Sequence, residues 1–246
     1  VASLVGSEMC IRDRKNINRK KQLFFDFGRD YEANLDNFFF SSKNKPLQSE
    51  LENFLNGAES QNVFLTADSG NGKTFLLNSI LNHELLQNLQ LIYIDVASLN
   101  KEKNYFDELS NFDLICLDNV DQTAKPLEVQ IFNLINQCKD SSTNLLFASS
   151  THPDSFEFLP DLVSRLKAFK QYRINSIADD DVVECLNFVV TKLKLNYSED
   201  LINYFSTRIK RDFLSIKTAM QDFDKFLYSE QKQPTKISAA SFLNKN

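Results

Sequence analysis

Eight consecutive residues, Ala67-Asp68-Ser69-Gly70-Asn71-Gly72-Lys73-Thr74, carry the clearest chemistry in the chain. A glycine-rich loop that closes on Gly-Lys-Thr turns backbone N–H groups inward around an anion. The lysine reaches terminal phosphates, and the threonine hydroxyl is offered to Mg2+ at a helix N-terminus already favourable to negative charge. The apolar run Val63–Thr66 precedes the loop and Phe75-Leu76-Leu77 follows it, so the predicted context is strand, loop, helix. Nucleotide-binding residues are therefore expected at Ser69, Gly70, Asn71, Gly72, Lys73, Thr74 and Phe75. The usual pattern is G-x-x-x-x-G-K-[ST]; Ala67 stands in place of its first glycine, and a tighter or differently twisted entry to the loop is expected. The structural alternative is a Gly/Asn turn with an exposed lysine.

Asp113-Leu114-Ile115-Cys116-Leu117-Asp118-Asn119 supplies a second element, an apolar strand ending in an acid. With Thr74, Asp118 is the expected Mg2+ site. A P-loop ATPase commonly places an acid next in sequence to polarise the attacking water, and here that residue is Asn119, which cannot accept a proton. Hydrolysis by this chain alone would require another acid, such as Asp121, in its place. The alternatives are a buried central strand for Leu114–Leu117 and a cap for Asp118.

These motifs need a parallel sheet to aim them. Short apolar runs at Val63–Thr66, Leu91–Asp95, Leu114–Asp118, Leu145–Ser149 and Gln171–Ile174 read as strands. Helical segments are expected between them at Phe75–Asn88, Leu127–Cys138 and Leu162–Phe169, an α/β arrangement. Beyond Asn175 the strand signal ends. Asp179–Lys194, Ser198–Ile209, Phe213–Tyr228 and Thr235–Leu243 read as helices, with Ser198 as an N-cap followed by Glu199 and Asp200.

With 246 residues, 42% hydrophobic and 25% charged, the chain can bury a full core. A net charge of -5 argues against gripping nucleic acid over a broad face, because such binding depends on Lys and Arg displacing counterions. Four scattered cysteines and two histidines give no metal-ligand spacing, so a reducing, cytoplasmic setting without a structural metal is expected. No apolar run reaches the ~20 residues that span a bilayer. The first fourteen residues, VASLVGSEMCIRDR, show no sustained period and resemble translated sequencing-adapter read-through.

Together, the two motifs, Leu117-Asp118-Asn119-Val120-Asp121, Ile131-Phe132-Asn133-Leu134-Ile135-Asn136, Pro160-Asp161-Leu162 to Arg165 and Arg211-Asp212 resemble the Hda family. These are regulators related to the AAA+ portion of the replication initiator DnaA, and the resemblance runs from about Gln22 to Leu243. It implies a P-loop AAA+ parallel sheet flanked by helices and followed by a small all-α lid subdomain. The implied division is residues 1–20 as a disordered or adapter-derived tail, 21–30 as a clamp-binding segment, 31–175 as the nucleotide-binding subdomain and 176–246 as the lid. The Asn after the acid is tolerated in that family.

The resemblance further makes Arg165 an arginine finger acting in trans on a neighbouring subunit's nucleotide. Arg211 becomes the lid arginine that returns to the bound nucleotide, although Lys210 beside it leaves the choice open. Ser149-Ser150-Thr151 stands where a polar sensor residue belongs, and Leu35-Asp36-Asn37-Phe38 where the adenine lies. Gln22, Leu23, Phe25 and Phe27 resemble the peptide by which such proteins dock into the DNA polymerase sliding clamp; the alternative is an alternating edge strand. ADP or ATP, with Mg2+, is the implied cofactor, and DnaA, the clamp, DNA through the clamp and a homodimer are the implied partners. No basic helix-turn-helix follows the lid in this sequence, which disfavours an initiator that reads origin DNA itself. The expected function is negative regulation of replication initiation, by stimulating hydrolysis of DnaA-bound ATP while docked, with ADP, on the DNA-loaded clamp. A self-sufficient AAA+ ATPase such as a helicase loader, and an adaptor without catalytic stimulation, are the alternatives.

Overall fold

The computed structural model describes residues 29–56, 62–107, 109–139, 141 and 143–244. The expected 1–20 tail and the expected docking residues Gln22, Leu23, Phe25 and Phe27 lie outside them. Five strands, β1 (Val63–Thr66), β2 (Leu91–Asp95), β3 (Leu114–Asp118), β4 (Asn144–Ser149) and β5 (Lys170–Arg173), form one sheet in the order β2-β3-β4-β1-β5. Every neighbouring pair is parallel. The chain leaves β1 for the far edge, returns through β3 and β4, and crosses β1 to reach β5. That reversal beside β1 is where an open parallel sheet leaves a crevice at the C-terminal ends of its strands.

Alternation along each strand divides the core in two. Phe64, Ile94, Ile115, Leu117, Leu145 and Phe147 pack on one face with Leu127, Ile131, Leu134, Leu162 and Leu166, from α3 (Lys125–Lys139) and α4 (Pro160–Lys167). Leu65, Tyr93, Leu114, Cys116 and Leu146 pack on the other with α1 (Lys45–Leu55) and α2 (Lys73–Leu81). A third cluster joins α5 (Val182–Lys192), α6 (Glu199–Ser206), α7 (Phe213–Ser229) and α8 (Lys236–Leu243) around Leu186, Phe205, Met220 and Phe223.

Local chemistry sets the boundaries. Ser198 accepts the N–H of Leu201 as the expected N-cap, Asp212 accepts that of Ser215, and Thr235 with Ser238 makes a capping box. The helix expected over Phe75–Asn88 is shorter: α2 stops at Leu81, because the Asn82 amide donates to the carbonyls of Asp30 and Ala33 and His83 caps a separate 3-10 turn over Glu84–Leu86. The helix α1 was not anticipated, although Leu47, Leu51 and Leu55 recur at its four-residue step. Strand β5 ends at Arg173, one residue short of the expectation, and the Ile174 N–H still donates to the Thr66 carbonyl.

Candidate functional site

The loop between β1 and α2 is built on two left-handed glycines, Gly70 at φ 85° and Gly72 at φ 86°. A side chain at Gly72 would be strained at that φ and would bring its Cβ to 3.1 Å from Cε2 of Phe38. The expected result of Gly72→Ala is therefore a loss of about 1–3 kcal/mol of stability, lowering the melting temperature by about 2–10 °C. A thermal melt of the nucleotide-free protein checks this, and an unchanged midpoint would contradict the loop conformation.

Lys73 opens α2 and is buried, its Nζ donating to the Ala67 carbonyl at 2.5 Å and to the Asp68 carbonyl at 3.4 Å. Burial pushes its pKa below the ordinary lysine value, against the pull of Asp118, Asp121 and Asp68. The loop's own carbonyls thus hold an ammonium whose burial favours an anionic partner. The Thr74 hydroxyl donates to Oδ2 of Asp118 at 2.5 Å. The same oxygen accepts the Tyr93 hydroxyl at 3.1 Å, and Oδ1 accepts the Asn119 N–H at 2.8 Å. Burial and the Asp118 carboxylate together push the Tyr93 phenol upward, which keeps it a donor. Thr74 and Asp118 present adjacent hard oxygens, a donor set that fits Mg2+.

Asn119 adopts φ 55°, ψ 40°, and its amide donates to Oδ1 of Asp95 at 2.9 Å. Asparagine enters the left-handed region more readily than most residues. The sequence position that would carry a base is thus filled by an amide turned toward a neighbouring strand end. Asp121, the other candidate acid, accepts the N–H of Ser150 at 3.1 Å.

A cleft of about 680 Å³ opens over this loop, within the range of small-molecule sites. Ser69, Gly70, Gly72, Lys73, Thr74 and Phe75 line it, as does Asn119; Asp118 is fully buried behind Thr74. Asn37 and Ser150 face it from the segments expected to meet the base and to carry the sensor residue, while Ser149 spends its hydroxyl on the Thr151 carbonyl. Asn71 departs from the expectation. Its amide donates to the Ser176 hydroxyl at 3.1 Å and its N–H to the Asp68 carbonyl, so its side chain ties the loop to the segment leading into α5.

Residues 33–122 match the model of DUF815, described as a protein of unknown function. The chain is 28% identical over 233 residues, 91% of its length, to an uncharacterized protein of Haemophilus influenzae, of which the match covers 99%. Domain III of the Thermotoga maritima replication initiation protein DnaA is similar in structure at a TM-score of 0.73 and 18% identity, covering 90% of this chain and 98% of that one. AMPPCP-bound DnaA from Aquifex aeolicus is similar at 0.70 and 18% identity, over 80% of this chain and 66% of that chain, so the present chain spans about two thirds of it. The fold is the AAA+ fold.

Within this AAA+ fold neither of the two arginines nominated by the sequence lines the cleft. Arg165, in the last turn of α4, is half-buried, with its guanidinium 6.0 Å from the centroid of Phe132. It forms no ion pair among the described residues. Helix α4 is itself fixed at its start, where the Leu159 N–H donates at 2.7 Å to the buried carboxylate of Glu128 on α3. Arg211 does not line the cleft; its guanidinium is bound to Asp179 and to the carbonyls of Ser206 and Ile209. Tyr93, Asp95 and Glu128 belong to this architecture without being nominated by the sequence. Nothing in their local sequence marks them, because their partners come from neighbouring strands and helices. No helix among the described residues is long and apolar enough to cross a membrane.

Proposed function

We propose that this chain is a nucleotide-holding regulator of replication initiation, similar to the Hda family, that promotes hydrolysis of ATP carried by DnaA. Its own site keeps ADP or ATP through Ser69 to Phe75, with Mg2+ at Thr74 and Asp118, and the chain divides into a nucleotide-binding subdomain, 31–175, and a lid subdomain, 176–246. The observation that carries this reading is Asn119. A loop suited to phosphates stands beside a residue that cannot take a proton and whose amide is committed to Asp95. Such a site favours holding a nucleotide over consuming it, which leaves Arg165 to act elsewhere.

In this reading Arg165 is presented to the phosphoryl group of ATP on DnaA, where a planar cation offsets developing charge. Mg2+ held by Thr74 and Asp118 would supply charge neutralisation on the phosphates of a nucleotide bound to this chain. Glu128 fixes the start of the helix that bears Arg165, and Phe132 lies beneath its guanidinium. Gln22, Leu23, Phe25 and Phe27 deliver the protein to the DNA-loaded sliding clamp, raising its effective concentration near DnaA.

The test is the rate of hydrolysis of ATP preloaded on the host's DnaA, with and without this protein and the DNA-loaded clamp. Stimulation that requires all components is the expected outcome. Absence of stimulation while nucleotide and clamp both bind would leave an adaptor, and clamp-independent turnover by the chain alone would instead make it a self-sufficient ATPase.

A further inference from the structure

Two side chains of the phosphate loop turn away from the cleft and bind the end of β5 and the segment that follows it. Neither Asp68 nor Asn71 lines the cleft. Nη2 of Arg173 donates to both carboxylate oxygens of Asp68, at 3.0 and 2.9 Å, and the Asn71 amide donates to the Ser176 hydroxyl at 3.1 Å. The loop is thus tied from outside on either side of Ser69 and Gly70.

The partners of these ties belong to the frame of the sheet. Arg173 ends β5 in register with Thr66 of β1, and the Ile174 N–H donates to the Thr66 carbonyl at 2.8 Å. Asn175, between the two partners, exchanges three hydrogen bonds with Asn44. Its N–H and its amide donate to Asn44 Oδ1 at 2.8 and 3.2 Å, and the Asn44 amide donates to its carbonyl at 3.1 Å. Asn44 is itself buried, so Arg173 and Ser176 flank a fixed point.

The loop has little of its own to hold it. One backbone bond closes it on itself, from the Asn71 N–H to the Asp68 carbonyl at 3.3 Å. Gly70 and Gly72 lose more conformational freedom on ordering than other residue types would. Lys73 adds bonds from Nζ to the carbonyls of Ala67 and Asp68, but a polyphosphate would compete for that same ammonium. The ties to Arg173 and Ser176 are contacts that a ligand in the cleft would leave in place.

We propose that the Asp68–Arg173 and Asn71–Ser176 contacts hold the phosphate loop in its anion-cradling shape before nucleotide arrives, which makes Arg173 and Ser176 positioning residues of the site. This rests on the nucleotide-binding reading of the loop. Ordering that the ligand would otherwise have to impose is supplied by the frame, and affinity rises by that difference. Arg173 acts through Asp68 and not as a phosphate ligand.

The experiment measures amide exchange of residues 68–74 in the nucleotide-free protein and ADP affinity by calorimetry, with both changes made outside the loop. In Arg173→Gln/Ser176→Ala, loop exchange about 10-fold faster and ADP binding about 10-fold weaker are expected, each the equivalent of roughly one backbone residue left to be ordered. The melting temperature should move by about 2 °C or less, because the ion pair is exposed. Arg173→Lys/Ser176→Thr keeps a cation and a hydroxyl acceptor and is expected to restore both readouts. Wild-type exchange or wild-type affinity in the first double variant would overturn the proposal. So would tighter ADP binding by Asp68→Asn, which would make Arg173 a phosphate ligand held back by its carboxylate. Lys73→Ala separates the two levels: wild-type ADP affinity in it removes the loop reading, whereas impaired binding beside a normal first double variant removes only the ties.

Discussion

Replacing Arg165 with alanine is expected to lower the stimulated rate of hydrolysis on DnaA by about 10³-fold, the lower end of what a finger supplied in trans contributes. The size follows from where the charge acts. On the surface of this protein alone, Arg165 has little to do: it is half-buried, rests over Phe132 and forms no ion pair among the described residues. Its removal should therefore leave the melting temperature and ADP affinity nearly unchanged. In a water-excluded junction the same guanidinium would face developing negative charge at low effective dielectric, where a preorganised cation is worth several kcal/mol. Arg165→Lys keeps the charge but loses the planar fork, so partial recovery is expected. Single-turnover hydrolysis of DnaA-bound ATP in the presence of the loaded clamp measures all three proteins. Undiminished stimulation by the alanine variant would remove Arg165 from the mechanism.

The second large effect concerns the protein's own nucleotide. Lys73→Ala is expected to weaken ADP binding by about 100-fold, the equivalent of one charge-assisted contact of roughly 2.7 kcal/mol. The ammonium is held at the mouth of α2 by two loop carbonyls, and burial lowers its pKa, so a polyphosphate would restore favourable surroundings for the charged form. Binding should accordingly favour proton retention on Lys73. The sheet should survive the substitution, because β1 is held on both edges by β4 and β5 and α2 is anchored by Leu76, Leu77 and Ile80. Calorimetric titration with ADP, together with a far-UV spectrum showing an intact fold, provides the check. Wild-type affinity would place the nucleotide elsewhere.

The shared fold accounts for likeness in architecture more than in chemistry. Domain III of the Thermotoga DnaA covers nearly the same extent at 18% identity, a level at which backbone topology persists while side chains at a site are free to differ. The specific reading therefore depends on individual residues: Asn119 turned to Asp95, Arg165 without an ion pair among the described residues, and Arg211 bound to Asp179. Each has a direct substitution test independent of the fold.

The amino-acid sequence by itself determined those features whose physics is local. The five strands were visible because buried parallel strands are continuous apolar runs, and the phosphate loop because its glycines and terminal Lys-Thr must sit in fixed order between a strand and a helix. Ser198 was legible as a cap because a capping bond spans only three residues. Tertiary structure alone decided what depended on distant partners. Asn82 ended α2 by reaching back to the carbonyls of Asp30 and Ala33; Tyr93 met Asp118 only through the pairing of β2 with β3; Asn71 turned from the cleft to Ser176. Two basic residues show the same division. Arg211 and Lys217 are separated by only six positions, yet one is bound into the end of a helix and the other faces the cleft, because a helix cap and a turn of α7 send their side chains to different surroundings. Residue type can nominate a cation for a site, but packing fixes which cation remains available to it.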